Sequence, residues 1–310
     1  MITEILQAAV IINILAATIR IATPLLLGAM GELVAERSGV MNMGLEGMML
    51  FGVFTVWLVT FLGGTTVMGG GVALIVGALL GLLLGILVIY LKVDQTVSGL
   101  SINLLALGVG EYFHRMLNVE METISVVVLP NLNIPFLANI PYLGDVLFKQ
   151  NPYTYLAFLS VPVIAWFLRR TKYGLTIRST GENPHAVDTR GINVGRVRLT
   201  ATVFAGMMAS LGGAFLMSVT SRYLPNMTAG RGWLAIIIVI AGNWNPARMV
   251  IATLLFAFLG ALQVTLTTFE IAVPYEFLLV MPYVIALVAL ALSRVRSAQP
   301  AKLGVPYSRE

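Results

Sequence analysis

From Gly47 to Leu91 no residue carries a charge. That run is more than twice the roughly 20 apolar residues that carry a helix across the hydrocarbon core of a bilayer. Inside lipid each backbone N–H and C=O needs a partner within protein, and an open strand edge would leave those groups without one, so the run is read as helical. Gly63, Gly64, Gly69, Gly70 and Gly71 interrupt it, and the reading is two spans joined by a glycine-rich turn. Further apolar runs follow at Val97–Leu117, Asn151–Leu168, Leu199–Ser221, Met249–Phe269 and Phe277–Ser293. Ile5–Val34 is broken by Arg20 and Pro24, which allows one kinked span or two short segments. With 58% hydrophobic and 11% charged residues in 310, and a mean hydropathy of +0.91, the chain has too little polar surface to coat a soluble globule. The expected fold is an all-α polytopic membrane protein, a single transmembrane domain over residues 1–310, with about eight to ten spans, short or broken ones included.

Charge orients the bundle. Arg169–Arg198 holds seven of the 19 Lys and Arg residues, and basic residues close to a span resist translocation, so this loop at 169–198 is expected in the cytoplasm. Counting crossings from it places residues 118–150, rich in Pro and Asn, outside. The turn around Lys92–Gln95 and the region of Glu36 and Arg37 fall inside. Gly232–Gly242 is too short for a comfortable span. If it re-entered, the tail with Arg294, Arg296 and Lys302 would lie outside. As a short crossing helix completed by irregular backbone buried in protein, it returns that tail to the cytoplasm, and the charge favours this. The formal charge of +5 has the distribution that topology requires, so nucleic-acid binding is not expected. Zero cysteines exclude disulfides and thiolate metal sites. The opening MITEILQAAVII lacks a basic n-region and a small-residue cleavage pattern, so no cleaved signal peptide is expected.

Gly77, Gly81 and Gly85 repeat every four residues along one face, as do Gly206, Ser210 and Ala214, a spacing that lets helix backbones approach closely in lipid. Packing within the chain and contact between subunits both fit it. Polar residues within spans are candidates for a translocation path: Ser98, Ser101 and Asn103 in one helix, Gln263 and Thr267 at i and i+4 in another. They can hydrogen-bond a passing solute, and they can equally hold helices together, at about 0.6 kcal/mol apiece. Glu46, between Gly44 and Gly47 at a helix start, joins these candidates, although a helix dipole or a pair with Arg37 would also hold its carboxylate. Glu111 and Arg115, at i and i+4, read as an ordinary salt bridge.

Absences limit the chemistry. There is no G-x-x-x-x-G-K-[ST] to cradle a nucleotide phosphate and no H-E-x-x-H. His114 and His185 fall on opposite sides by the topology above, so no metal site is expected. Few acidic residues lie deep in spans, which leaves a stand-alone ion-coupled carrier without its relay. Uphill transport would then draw on another protein through the cytoplasmic loop. In that loop Asn183 can cap a helix, Pro184 suits its first turn, Asp188 follows, and Gly191 sits at a C-cap position. A helix of about two turns is not stable alone. A solvated loop helix and a docking surface both remain open on these residues.

Four strings carry a resemblance: ERSGVMNMGLEGMMLFG at Glu36–Gly52, DQTVSGLSINLLALG at Asp94–Gly108, GENPHAVDTRGINV at Gly181–Val194 and RGWLAIIIVIAGNWNPAR at Arg231–Arg248. Together they resemble the integral-membrane permease subunits of bacterial ABC importers, the group that includes branched-chain amino acid, ribose and other simple-sugar permeases. Within it the nucleoside and simple-sugar branch is nearest. The resemblance covers nearly the whole chain. It implies the permease fold of ABC importers and a multi-pass subunit of the bacterial cytoplasmic membrane that translocates nucleosides. A simple sugar or a branched-chain amino acid is the alternative cargo. It further implies a second homologous permease, as a heterodimer, cytoplasmic ATPase subunits that bind ATP and Mg, and an external substrate-binding lipoprotein. This chain would hold no cofactor and catalyse no reaction. Glu182, Asn183, Pro184, His185, Asp188, Arg190 and Gly191 would be the coupling helix that the ATPase grips. His185 with Val187 departs from the acid- and alanine-rich helix of relatives, which bears on which ATPase the helix would fit.

Overall fold

The computed structural model describes residues 8–118, 127–224, 226–268, 280, 284 and 298–308. Ten α-helices run through the described part: α1 (Ala8–Ser38), α2 (Leu45–Phe61), α3 (Thr66–Gly85), α4 (Gln95–Asn118), α5 (Pro152–Arg170), α6 (Lys172–Glu182), α7 (Pro184–Asp188), α8 (Val194–Ser218), α9 (Arg231–Ala241) and α10 (Pro246–Thr268). Helix α1, α3 with the π turn that follows it, α8 and α10 are long and apolar enough to cross a membrane, and α2 and α9 are shorter apolar helices. The architecture is the expected all-α polytopic one, short helices among long. The Phe277–Ser293 run lies outside the described residues except for 280 and 284. The N-terminal run is one helix, not two, within the described residues. Pro24 is accommodated inside it, and beside it the Thr23 hydroxyl lies in hydrogen-bond range of the Ile19 carbonyl (2.9 Å) and of the Thr154 hydroxyl (3.0 Å), which ties α1 to α5.

Helix α8 is the axis of the bundle, packed on α1, α2 and α3. Its small residues make this possible. A Cβ on Gly206 would overlap the carbonyl oxygen of Gly77, and one on Gly81 would come within 2.6 Å of the Thr202 carbonyl. The two glycine stripes seen in the sequence are thus opposite faces of one internal seam between α3 and α8. On its other sides Gly213 packs against Met49 of α2, and Gly212 fits beside Pro24, where a Cβ would sit 3.0 Å from the proline carbonyl. Backbone approach of this kind supplies the dispersion contacts that hold helices together where lipid is as apolar as the side chains. The turn between α2 and α3 is shorter than the glycines suggest: only Gly63, at φ +86°, and Gly64 lie in it, while Gly69, Gly70 and Gly71 are in α3.

The two ends of the bundle differ. At one end residues 127–150 fold over the start of α3 and the end of α8: Leu129 N donates to the Ser218 carbonyl (2.8 Å) and Thr66 Oγ1 to the Val127 carbonyl (2.6 Å). Leu132–Asn133 and Lys149–Gln150 pair there as a short antiparallel ribbon. The opposite end gathers the last turn of α1, the start of α8, α6, α7, the α9–α10 turn and residues 298–308. Arg37 ties three of these, donating to the carbonyls of Trp244 (2.8 Å) and Ala298 (3.2 Å). Because α8 finishes at the first end and α9 finishes at the second, the described residues between 219 and 241 pass from one end to the other as bends and turns followed by an 11-residue helix. The short crossing inferred from charge parity is the arrangement observed.

Candidate functional site

Two polar constructions stand out, one inside the bundle and one at its basic end. The inner one is built on the string Glu36–Gly47. After α1 the chain turns at Gly39, at φ +97°, and climbs back along the helix it has just left. Asn42 N then donates to Glu32 Oε1 (2.8 Å), more than a turn before the end of α1. Helix α2 therefore begins in the interior. Glu46 in its first turn accepts from Thr228 Oγ1 and Gly230 N (2.9 Å) on one oxygen and from Gly232 N (2.6 Å) on the other. It is 7% exposed. Its carboxylate thus caps α9, whose N-terminal N–H groups would otherwise be orphaned away from water. The dipole that stabilises Glu46 is that of α9. Arg37 does not pair with it; the guanidinium is turned toward the end of the bundle.

Asn103 of α4 serves the same loop. Its Oδ1 accepts from Gly47 N (2.7 Å) and its Nδ2 donates to the Met43 carbonyl (3.0 Å). Both amide atoms are spent on backbone, and Gly44 and Gly99 let the chains meet closely enough for that. Ser98 is buried, and its Oγ has no hydrogen-bond partner. Ser101 faces outward and donates to the Val97 carbonyl (2.8 Å), among the exposed Val97, Leu100, Leu104 and Leu105. Gln263 and Thr267 lie on α10, Thr267 exposed and donating to the Gln263 carbonyl. The structure does not group these residues: α4 packs mainly on α2, α10 on α1, α5 and α9. The Glu111–Arg115 bridge forms at 2.6 Å on an exposed face.

Sequence reading passed over a further set. Glu32 and Glu36 of α1 are both fully buried, and Glu36 Oε2 accepts from Trp244 Nε1 just past α9. Glu32 Oε2 and Glu36 Oε1 meet no donor from any third residue, and the two carboxyl groups hydrogen-bond each other. The signal was their i, i+4 spacing inside an apolar helix, which puts two carboxylates on one face. Among the described residues no group of three or more His, Asp and Glu side chains is placed to hold a metal.

At the basic end the loop is two helices. Helix α6 continues from α5 after a break at Thr171, whose Oγ1 accepts from Gly174 N (3.0 Å); the sequence reading missed it. Helix α7 is the expected one: Asn183 Oδ1 accepts from Ala186 N (3.2 Å), Pro184 opens the first turn, and Gly191 ends the segment at φ +77°. Gly181, Pro184 and Val187 are buried, while Glu182, His185, Ala186 and Arg190 are exposed. Pro184 and Val187, three residues apart on α7, share its buried side. A cleft of about 350 Å³ opens between α6 and α7, lined by Leu175, Ala186, Arg190 and Ile192 among others, with Leu175 and Tyr173 strongly exposed nearby. A second cavity, about 450 Å³, lies between Asp188, Gly191, Tyr90, Lys92 and Tyr307. His185 packs edge-on against Tyr307 with ring centres 5.1 Å apart. His114 is at the far end of the molecule, against Trp57 and Tyr223. The arrangement presents a polar, capped helix with an apolar cleft beside it.

The description "branched-chain amino acid transport system / permease component" matches residues 14–290. Among curated proteins, the putative glucose ABC transporter permease protein TsgC13 of Haloferax volcanii is 37% identical, over 84% of this chain and 79% of its own. The guanosine ABC transporter permease protein NupQ of Bacillus subtilis is 34% identical over 95% of this chain and 96% of its own. The nucleoside ABC transporter permease protein NupC of Lactococcus lactis is 32% identical over 92% and 93%. No solved structure matches the chain. The match spans the interior crossing, the basic helices and nearly every helix of the bundle, so the chain belongs to the family of branched-chain amino acid transport system permease components.

Proposed function

We propose that this chain is the nucleoside-conducting permease subunit of an ATP-driven importer and one half of its pore. It is a multi-pass protein of the cytoplasmic membrane and a transport component. The observation that carries the proposal is α7, a capped helix with an exposed polar face, seated at the basic end on the same residues that close α1 and α8. In this reading that end is cytoplasmic, residues 118–150 are external, and α7 with Arg190 and Gly191 enters a groove of a separate ATPase. ATP and Mg are bound there and not by this chain. Closure of the ATPase pair moves α7 as a lever, and the bundle alternates between outward and inward access. This requires that nucleotide and loaded external receptor each favour one of the two states.

The second half of the pore is a homologous permease, a different chain, and an external lipoprotein delivers the solute. The outward face of α4, with Ser101, Leu104, Leu105 and Gly108 all exposed, supports its use as the pore-side helix, where apolar walls with a few hydroxyls suit a base and a ribose. The likeness to two nucleoside-type permeases over more than nine-tenths of the chain favours nucleosides. The likeness to TsgC13 supports a hexose as the second reading. The test is uptake by proteoliposomes that hold this chain with a candidate ABC ATPase, second permease and substrate-binding lipoprotein from the same genome. Labelled guanosine should accumulate with ATP, without a proton gradient, and excess unlabelled nucleoside should compete where glucose does not. Competition by glucose alone transfers the assignment to sugars, and uptake by this chain without ATPase removes it.

A further inference from the structure

Residues 298–308 run across the basic end of the bundle and touch every element that meets there. Ala298 N donates to Asn243 Oδ1 (2.6 Å) in the α9–α10 turn, and Arg37 reaches the Ala298 carbonyl. Ala301 N donates to Glu182 Oε2 (3.3 Å), and Lys302 N to the Gly181 carbonyl (2.8 Å), at the junction of α6 and α7. Gly304 N donates to the Gly39 carbonyl (3.1 Å) in the turn after α1, and the Val305 carbonyl accepts from Arg198 Nη1 (2.8 Å) at the start of α8. Pro300 is buried against Gly181, Leu303 packs on the core, and Tyr307 lies against His185 of α7.

Most of these bonds use backbone atoms, so they depend on the path of the segment more than on its side chains. Helix α7 is five residues long and has no stiffness of its own. What holds it in place is its buried side and this segment. Arg198 is 2% exposed, and its guanidinium would lose the Val305 carbonyl if the segment left, a costly outcome for a buried charge.

We infer that residues 298–308 are a transmission strap: they fasten α7 to the ends of α1, α8 and α9, so that these elements move as one body when the coupling helix is pushed. The inference rests on the coupling reading above. Without the strap, α7 would rock on its own, and hydrolysis in the ATPase would no longer be delivered to the helices that close the pore. The strap residues act through α7 and the bundle, and touch no solute.

The test uses the complete importer in proteoliposomes. Wild-type complex must first show ATP-dependent uptake; if it does not, the transport reading fails before the strap is examined. A chain ended after Gln299 is expected to keep ATP hydrolysis within about twofold while uptake falls about tenfold, the scale of a lost coupling energy. Wild-type uptake by this variant overturns the strap. Since the chain has no cysteine, Ala298→Cys with Asn243→Cys, a strap contact outside the coupling helix where Ala298 N now donates to Asn243 Oδ1, can be bridged by a short bifunctional maleimide. If the strap and the α9–α10 turn move together, uptake by the bridged complex stays within about twofold of the unbridged one. Loss of uptake on bridging, recovered when a cleavable linker is cut, shows that the two separate during the cycle and overturns the inference.

Discussion

Glu46→Gln is the sharpest probe of the interior junction. The carboxylate is approached only by donors: Thr228 Oγ1 and Gly230 N at one oxygen, Gly232 N at the other. A carboxylate accepts at both oxygens, whereas an amide accepts at one and donates at the other. Placed to keep Thr228 and Gly230, the glutamine turns its NH₂ toward Gly232 N–H and leaves one buried donor unpaired, which costs about 1–3 kcal/mol. Loss of the charge at the N-terminus of α9 adds about 0.3–1 kcal/mol. Glu46→Ala leaves three donors unpaired, about 3–9 kcal/mol by the same reasoning, which is comparable with a whole folding free energy of about 5–15 kcal/mol. The alanine variant should therefore express poorly and the glutamine variant should fold with a lowered melting temperature. Thermal unfolding of the purified chain followed by tryptophan fluorescence reads the stability. Hydrogen exchange of a peptide spanning residues 228–236 reads the cap directly, with faster exchange expected in the glutamine variant. Unchanged melting and unchanged exchange in Glu46→Gln would refute the capping argument. A changed apparent KM for the solute at wild-type stability would instead make Glu46 part of the path.

Three further outcomes can be checked. Gly206→Ala places a methyl on the Gly77 carbonyl oxygen and should cost about 1–3 kcal/mol through overpacking; Gly71→Ala, in the same α3 with open space around it, is the neutral control, and equal melting temperatures of the two variants would contradict the seam. Gly191 has open space around it but φ +77°, so Gly191→Val pays only for backbone, about 1–2 kcal/mol. Gly191→Asn, which tolerates that region, should retain ATP-driven uptake while the valine variant loses it, and equal uptake by both would show that the end of α7 need not be held. Trp244→Phe removes the donor to buried Glu36 and should destabilise by about 1–3 kcal/mol, with partial recovery on adding Glu36→Leu because both polar partners are then gone; a thermal melt of the double variant no better than the single one would contradict that account.

Much of the bundle was legible because lipid imposes a strict rule. An apolar run near the length of a span has few options, and Leu199–Ser221, Met249–Phe269 and Asn151–Leu168 each correspond to a helix within a few residues. The cap at Asn183 and the stop at Gly191 were legible for a local reason: side chain and backbone there are settled within one turn. The short crossing at Gly232–Gly242 was reached by charge parity, since no local signal distinguishes it from a re-entrant loop. Helix α6 was missed because Lys172–Glu182 has no apolar run; its helicity comes from packing on α1, α5 and α7 and from the Thr171 cap.

The polar residues of the spans mark the limit. By spacing alone, Asn103, Ser98 and Glu46 were equivalent to Gln263 and Thr267 as candidates to face a solute. Only the assembled bundle separates them, spending Asn103 on the Met43–Gly47 backbone and Glu46 on α9 while Ser101 looks outward. The same holds for residues 298–308, which read as a basic tail useful for topology and prove to be bonded to five other segments. Hydrophobic length and charge act on each segment separately, through its exchange of water for lipid, so composition along the chain was enough to determine the long apolar helices, their order and which end is basic. Where a carboxylate in one helix meets the N-terminus of another 186 residues later, the decision belongs to geometry, because an unpaired buried donor is costly only once a specific fold has excluded water from it.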